Sequence, residues 1–180
     1  MQTPTVTCHD KCFEIYLPEK EVLQDIKRIA QQLNKDYEGK NPIFIAVLNG
    51  SFMFASDLLK EITIACEISF VKVSSYENTS STGQVKDLVG LKEDISGRHV
   101  ILLEDIVDTG NTMVVLLEML QVRNPASIEV ATLLQKPECL QHQLSVKYVG
   151  RNIPNDFVIG YGLDYNGLGR NFKDIYKVID

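Results

Sequence analysis

No run in this chain approaches the roughly 18 consecutive apolar residues that a membrane span requires, so a membrane-embedded protein is not expected. The opening residues, MQTPTVTCHDKCFE, lack the basic start and apolar stretch of a secretory leader, and a cytoplasmic protein is expected. Basic charge is in short supply too: 18 Lys and Arg stand against 24 Asp and Glu, a formal net charge of −6. No Lys/Arg cluster stands out, so nucleic acid held by the overall field is not expected. A small phosphorylated ligand remains open, because one loop can hold it. That loop is not a P-loop, since GxxxxGK[ST] occurs nowhere in the chain. Internal repeats and low-complexity segments are also missing.

Cysteine is scarce, with four in the chain. Cys8 and Cys12 at one end and Cys139 with His142 near the other make a formal Cys₃His set. Its spacing is only loosely finger-like and a long globular stretch divides the halves, so reduced thiols are expected rather than zinc. Disulfides are not expected without a secretory leader. What is present is ordinary globular material: 44% hydrophobic and 23% charged residues over 180 positions. That length suits one domain, residues 1–180, with a substantial core.

Periodicity organises the chain. Val22, Ile26, Ile29 and Leu33 fall on one helical face within residues 19–36, with Pro18 at the entrance. An apolar run over 43–48 predicts a strand, broken by Asn49-Gly50-Ser51 and followed by a helical pattern through Phe54, Leu58, Leu59 and Ile62. Strands are predicted at 64–73, 99–107, 127–134, 146–149 and 157–163, and a helix from about Thr112 to Asn124-Pro125. Residues 74–84 are the most polar stretch, readable equally as a solvated loop or as a lid. Strands alternating with helices predict an α/β fold with a mostly parallel central sheet flanked by helices. Ligands of such folds sit at the carboxyl ends of the strands. Asn49-Gly50, the segment from Glu104 to Thr112, Lys136 and Asp164 each follow an apolar run.

The segment VILLEDIVDTGNT, residues 100–112, carries the densest chemistry. Asp108-Thr109-Gly110-Asn111-Thr112 joins a predicted strand to a predicted helix. Small and hydroxyl residues around one glycine let successive N–H groups turn inward, and the helix start adds its positive dipole end. That suits one phosphate monoester; an N-capped helix is the plain alternative. Glu104 and Asp105 shift the balance. Two acids ending a buried strand are costly unless they meet hydroxyls, a cation or solvent. Carboxylates accept hydrogen bonds from the two hydroxyls of a ribose and suit Mg²⁺. A phosphate loop beside diol-binding acids describes a ribose 5-phosphate.

These residues resemble the phosphoribosyl pyrophosphate (PRPP) signature of the type I phosphoribosyltransferases: an apolar strand, two acids and a D-[ST]-G-x-T loop. Leu48-Asn49-Gly50-Ser51, Ser74-Ser75-Tyr76 with Ser81-Thr82-Gly83, Leu134-Gln135-Lys136 and residues 157–165 follow in order. Together they are similar to the 6-oxopurine branch, the hypoxanthine or hypoxanthine-guanine phosphoribosyltransferases. The similarity runs from about Asn41 to the C-terminus, with no comparable match before it.

The resemblance implies a type I phosphoribosyltransferase fold with a small hood from terminal segments. It also implies purine salvage. PRPP and a 6-oxopurine, with Mg²⁺, give the nucleoside monophosphate and pyrophosphate through an oxocarbenium-like state. By position, Asp108, Thr109, Gly110, Asn111 and Thr112 hold the 5′-phosphate, and Glu104 and Asp105 take the ribose hydroxyls and suit charge at C1′. Asp108 is the acid/base facing purine N7. Lys136 donates to the 6-oxo group, Phe157 stacks on the base, and Val158 meets it through its backbone. Asp164 lies beside the purine and joins Glu104 and Asp105 as the Mg²⁺ set, acting through water. Asn49, Gly50 and Arg170 contact pyrophosphate, and Ser75 and Tyr76 belong to a closing lid. A homo-oligomer, dimer or tetramer, is implied as well.

Two positions depart from the pattern. Some relatives carry a basic residue where this chain has Asn49, and a lysine where it has Asn111. Charge contacts from those side chains are therefore in doubt, although backbone amides need no help from them. Two other readings stand beside this one. A xanthine- or guanine-preferring transferase would differ in backbone carbonyls near Val158 and Asp164. An RNA-binding regulator on the same fold would need a basic face that this composition does not supply.

Overall fold

The computed structural model describes residues 4–75 and 86–179, with side chains apart from 73–75 and 86–89. Its centre is a six-stranded sheet built from β3 (Ile43–Val47), β4 (Glu67–Ser75), β5 (Lys86–Val89), β6 (His99–Val107), β7 (Ser127–Gln135) and β8 (Tyr148–Asn152). The strand order is β5-β4-β3-β6-β7-β8, all parallel except β5, which runs antiparallel to β4. A smaller antiparallel sheet forms the hood. It joins β1 (Thr5–Cys8) and β2 (Lys11–Leu17) from the beginning of the chain to β9 (Val158–Ile159) and β10 (Ile175–Ile179) from its end.

The sheet is covered on both faces, as its apolar strands require. Helix α1 (Glu19–Asp36) buries Val22, Ile26, Ile29, Ala30 and Leu33, with Glu19 and Glu21 in its first turn and Lys35 in its last, each favourable to the helix dipole. With α2 (Phe52–Glu61) it covers Phe44, Ala46, Ile101 and Leu103 on one face. Helix α3 (Asn111–Gln121) covers Ile45, Val100, Leu102 and Val130 on the other. Strand β6 lies between β3 and β7, and its residues 100–103 are fully buried. No helix among the described residues is long and apolar enough to cross a membrane.

Several boundaries differ from the sequence expectation, each for a packing reason. Strand β4 begins at Glu67 because its parallel partner begins at Ile43, leaving residues 64–66 nothing to pair with. It then runs through Ser74 and Ser75, which pair with Asp87 and Lys86 of the unexpected β5. Strand β8 starts at Tyr148, while Leu144 and Val146 pack into the α3-side core instead. Strand β9 stops at Ile159 because Gly160 and Gly162 adopt φ of 97° and 101°, which a strand does not accommodate. Helix α3 starts one residue early, at Asn111. Tyr76 and residues 77–85 lie outside the described residues, so the lid expectation is addressed only at Ser75, the end of β4.

Strand β8 forms one edge of the large sheet and leans closely on β7. A Cβ at Gly150 would overlap the carbonyl oxygen of Leu133, part of a fixed ladder. Gly150→Ala is expected to cost about 1–3 kcal/mol, as overpacking against rigid neighbours does. The measurement is a urea melt, which should show a lower midpoint at unchanged slope.

Candidate functional site

The carboxyl ends of β3, β6 and β7 meet at one end of the sheet, and the site grows from that meeting. Near the end of β6 two acids follow one another, and the carboxyls of Glu104 and Asp105 come within hydrogen-bonding reach of each other. Glu104 lines a cavity of about 90 Å³ together with Ile106, Val107, Asp108, Thr109, Gly110, Asn111, Thr112 and Met113. Asp105, only 7% exposed, lies against Gly50. Gly50 has no room for a side chain, because a Cβ there would overlap the Asp105 carboxylate.

The five-residue loop after β6 is shaped for an anion. Gly110 stands at the N-cap of α3 with φ of 82°, and no side chain caps the helix. Helix amides in the first turn have no intrahelical acceptor, so the first amides of α3 are left to another acceptor. The Asn111 N–H reaches Thr109 Oγ1 only at 3.4 Å. The plain alternative, a helix capped by Asp or Thr, is thereby set aside.

Glu104 and Asp105 are held in an environment hostile to charge. Burial raises the Glu104 carboxyl well above its ordinary range, and the neighbouring Asp105 charge adds to the effect. Glu104 Oε2 is buried with no hydrogen-bond partner among the described residues. Burial also raises Asp105, less strongly, because its hydrogen bond with the Glu104 carboxyl and that from the Ile106 N–H at 2.9 Å favour its ionised form. A buried carboxyl oxygen without a partner is costly, and a ligand offering hydroxyls or a cation would relieve it.

Lys136, just after β7, pairs with the first residue of the loop. It is 6% exposed, and its Nζ donates to Asp108 Oδ2 at 2.9 Å and to Asn155 Oδ1 at 3.4 Å. Its backbone N–H donates to the Val107 carbonyl at 2.9 Å, which locks the lysine beside the loop. A buried ammonium needs such an acid, and the surface lysine that an isolated Lys-Pro suggests is not what the fold makes. Asn155 was not singled out from sequence, and its plain loop setting offered no signal.

The hood supplies an aromatic wall. Phe157 is 41% exposed, not a core residue, and its ring meets Phe13 at 6.1 Å and Tyr165 at 5.6 Å between centroids. The Val178 N–H donates to the Phe157 carbonyl, which makes Val158 and Lys177 a non-hydrogen-bonded pair. The N–H and C=O of Val158 therefore point off the open edge of the hood sheet.

Arg170 and Asp164 occupy the remaining corner. The Arg170 guanidinium pairs with Asp164 Oδ1 at 2.6 Å and donates to the Gly162 carbonyl at 2.6 Å, while Asp164 Oδ2 accepts from the Gly167 N–H at 2.7 Å. Gly162 packs on the Gly50 carbonyl so closely that a Cβ would overlap it, bringing Arg170 to the Asn49-Gly50 turn. The Leu48–Asn49 peptide bond is cis, and Asn49 is exposed. Tyr161, unread from sequence, lies buried between the two glycines at φ of 51° and donates its hydroxyl to Asp57 of α2. The Gly-Tyr-Gly pattern was the available signal.

No group of three or more His, Cys, Asp and Glu among the described residues is arranged to hold an ion by itself. Asp164 is paired with Arg170, apart from the neighbouring Glu104 and Asp105. All four cysteines are free.

The raised carboxyls carry a sign that can be tested. A folded-state value above the unfolded one means that the native protein holds more protons, so stability falls as pH climbs from the ordinary carboxyl range towards the raised values. Carboxyls lowered in the fold, Asp10, Asp36 and Glu93, lose their contribution only below that range. The melting temperature of ligand-free Glu104→Gln should therefore exceed that of the parent by a margin that widens from pH 4 to pH 8. Each 1 kcal/mol corresponds to about 2–4 °C for a chain of this size. A margin constant with pH would contradict the assignment.

Comparison with known proteins places this geometry. The phosphoribosyl transferase domain pattern matches residues 14–166, beginning well before the point at which the sequence resemblance was visible. Hypoxanthine-guanine phosphoribosyltransferase of Staphylococcus aureus (strain Mu50) is 43% identical over 168 residues, covering 93% of this chain and 94% of the relative. The enzyme of the same name from Streptococcus pyogenes serotype M3 is 43% identical over 159 residues, 88% of each chain. Among solved structures, a hypoxanthine-guanine phosphoribosyltransferase from Bacillus anthracis superposes with a TM-score of 0.83 at 36% identity, covering 93% of this chain and 97% of the other. The parallel sheet, the hood and the loop after β6 thus have their counterpart in a known group, and the chain belongs to the phosphoribosyltransferase family, among the hypoxanthine-guanine phosphoribosyltransferases.

Proposed function

We propose that this protein transfers the 5-phosphoribosyl group from PRPP to hypoxanthine, and to guanine, releasing IMP or GMP and pyrophosphate in purine salvage. The observation that carries the reading is the Lys136–Asp108 pair, 2.9 Å apart beside an uncapped helix start. A 6-oxopurine presents N7 and O6 side by side on one edge. Lys136 donates to O6 and Asp108 faces N7, so the ion pair opens to take that edge between its members. Phe157 stacks on the ring, and the free backbone edge at Val158 meets its far side.

The loop Asp108–Thr112 holds the 5′-phosphate, with the first amides of α3 as donors. Glu104 and Asp105 accept the ribose hydroxyls, and their charge favours the cation that develops at C1′. N9 of the base bonds to C1′ as the C1′–pyrophosphate bond breaks, and Asp108 takes the N7 proton that this makes acidic. Amides at Asn49-Gly50 and donors of Arg170 receive the pyrophosphate. Arg170 has five N–H donors, and its present partners engage only part of that set.

The oxygen-only donors here fit Mg²⁺ in the mode it prefers, one or two carboxylates with substrate phosphates and water. Glu104 and Asp105 on the ribose side and Asp164 on the pyrophosphate side would hold it through substrate and water. Bound there, it would neutralise charge on the leaving pyrophosphate. We place the activity in a single domain over residues 1–180 of a cytoplasmic homo-oligomer. Ser75 and Tyr76 are proposed as part of a closing lid.

Side-by-side turnover of hypoxanthine, guanine, xanthine and adenine with PRPP and Mg²⁺ tests the base assignment. Adenine offers a donor where Lys136 has only donors, so its kcat/KM should fall at least about 100-fold below that of hypoxanthine. Equal use of adenine would overturn the role of Lys136. Asp108→Asn should lower kcat by about 100-fold or more, the usual scale of a lost acid/base, while KM for PRPP stays within a few-fold. Unchanged turnover would remove Asp108 from that role.

A further inference from the structure

The segment after β7 forms an outer wall to the phosphate loop, a contact the mechanism does not use. The Gln141 N–H donates to the Thr109 carbonyl at 3.0 Å. The side chains of Leu140 and Leu144 stand 3.5 Å from the place where a Cβ of Gly110 would be. His142 Nε2 lies 2.5 Å from Asn111 Oδ1. Asn111 is on the wall of the cavity and is the position at which relatives with a lysine would bring a charge.

From this juxtaposition we infer that His142 is a positioning residue for the 5′-phosphate site, holding the Asn111 amide so that its NH₂ group is presented to the anion. The inference deepens the phosphoribosyl reading and rests on it. An amide has one accepting and one donating end, and an imidazole nitrogen that carries hydrogen selects the accepting end. With Oδ1 engaged by His142, both hydrogens of Nδ2 are left for a phosphate oxygen. The opposite tautomer would turn the amide and bring its oxygen towards the phosphate, which the anion disfavours. Phosphate binding and the Nε2–H form of His142 therefore support each other, although His142 itself need not touch the ligand. A neutral, oriented amide thus stands where a lysine would act as a point charge, and its usefulness depends on a partner 31 residues away.

The test is calorimetric titration with ribose 5-phosphate of the full chain, His142→Phe, His142→Gln, Asn111→Ala and the double variant His142→Phe/Asn111→Ala. His142 is exposed, so its replacement does not threaten the core. Phe at 142 should weaken binding about ten-fold, the scale of a hydrogen bond to a charged group. Gln, whose amide N–H can replace Nε2–H, should restore it to within about two-fold. The double variant should bind no more weakly than Asn111→Ala alone. Undiminished binding by His142→Phe, no rescue by Gln, or a full further loss in the double variant would each overturn the inference. Hypoxanthine turnover measured in parallel separates the two readings: a parent chain that binds ribose 5-phosphate but makes no IMP overturns the proposed function alone. A parent chain that does not bind ribose 5-phosphate overturns both.

Discussion

The structure depends on a strand that is apolar on both faces and ends in two acids. Residues 100–103 of β6 are buried by helices on either side, and that burial fixes where Glu104 and Asp105 emerge. Burial is also what makes those acids costly, since each carboxyl leaves bulk water. Glu104 keeps a buried oxygen with no partner among the described residues, a feature that stability alone would not favour. The diol and developing positive charge of the proposed substrate would give that arrangement a purpose. The adjacent acids also link the cavity at the loop after β6, which Glu104 lines, to the turn at Gly50, which Asp105 meets.

Close backbone approach ties the hood to this centre. Gly50 admits the Asp105 side chain, and Gly162 admits the Gly50 carbonyl, so three segments distant in sequence are stacked in close contact. Tyr161 anchors the hood loop to α2 through Asp57, and Arg170 fastens the same loop through Asp164 and Gly162. The aromatic wall at Phe157 is positioned by β10, whose pairing with β9 leaves the Val158 backbone free. The Phe157 wall and the Lys136–Asp108 pair are thus set by different sheets. Close contacts at Gly50 and Gly162, where even one added methyl group has no space, tie the two together.

Much of the central chamber was legible in the sequence because it is local. Residues 100–103 are continuous apolar material, the two acids and Asp108–Thr112 follow within a few residues, and strand, loop and helix start could be read in one pass. Lys136 was visible through its neighbours, yet its burial and its pairing with Asp108 depend on parallel alignment of β6 with β7 across 28 residues. The hood was less legible. Strands β1, β2 and β10 are short, and the pairing of β2 with β10 joins opposite ends of the chain, so no local periodicity announces it. The 157–163 run read as one strand, but two left-handed glycines divide it. Residues whose role lies in a distant contact, such as Tyr161, Asn155 and His142, carry no local signal beyond a flanking glycine or proline.

The proposed chemistry turns on one event: the Lys136–Asp108 pair opening around the edge of a 6-oxopurine. A crystal structure of the protein with IMP tests it directly. The predicted result has Lys136 Nζ within hydrogen-bond distance of O6 and the Asp108 carboxylate at N7, with the 5′-phosphate on the amides of Thr109 to Thr112. An intact Lys136–Asp108 ion pair with the base bound elsewhere would contradict it.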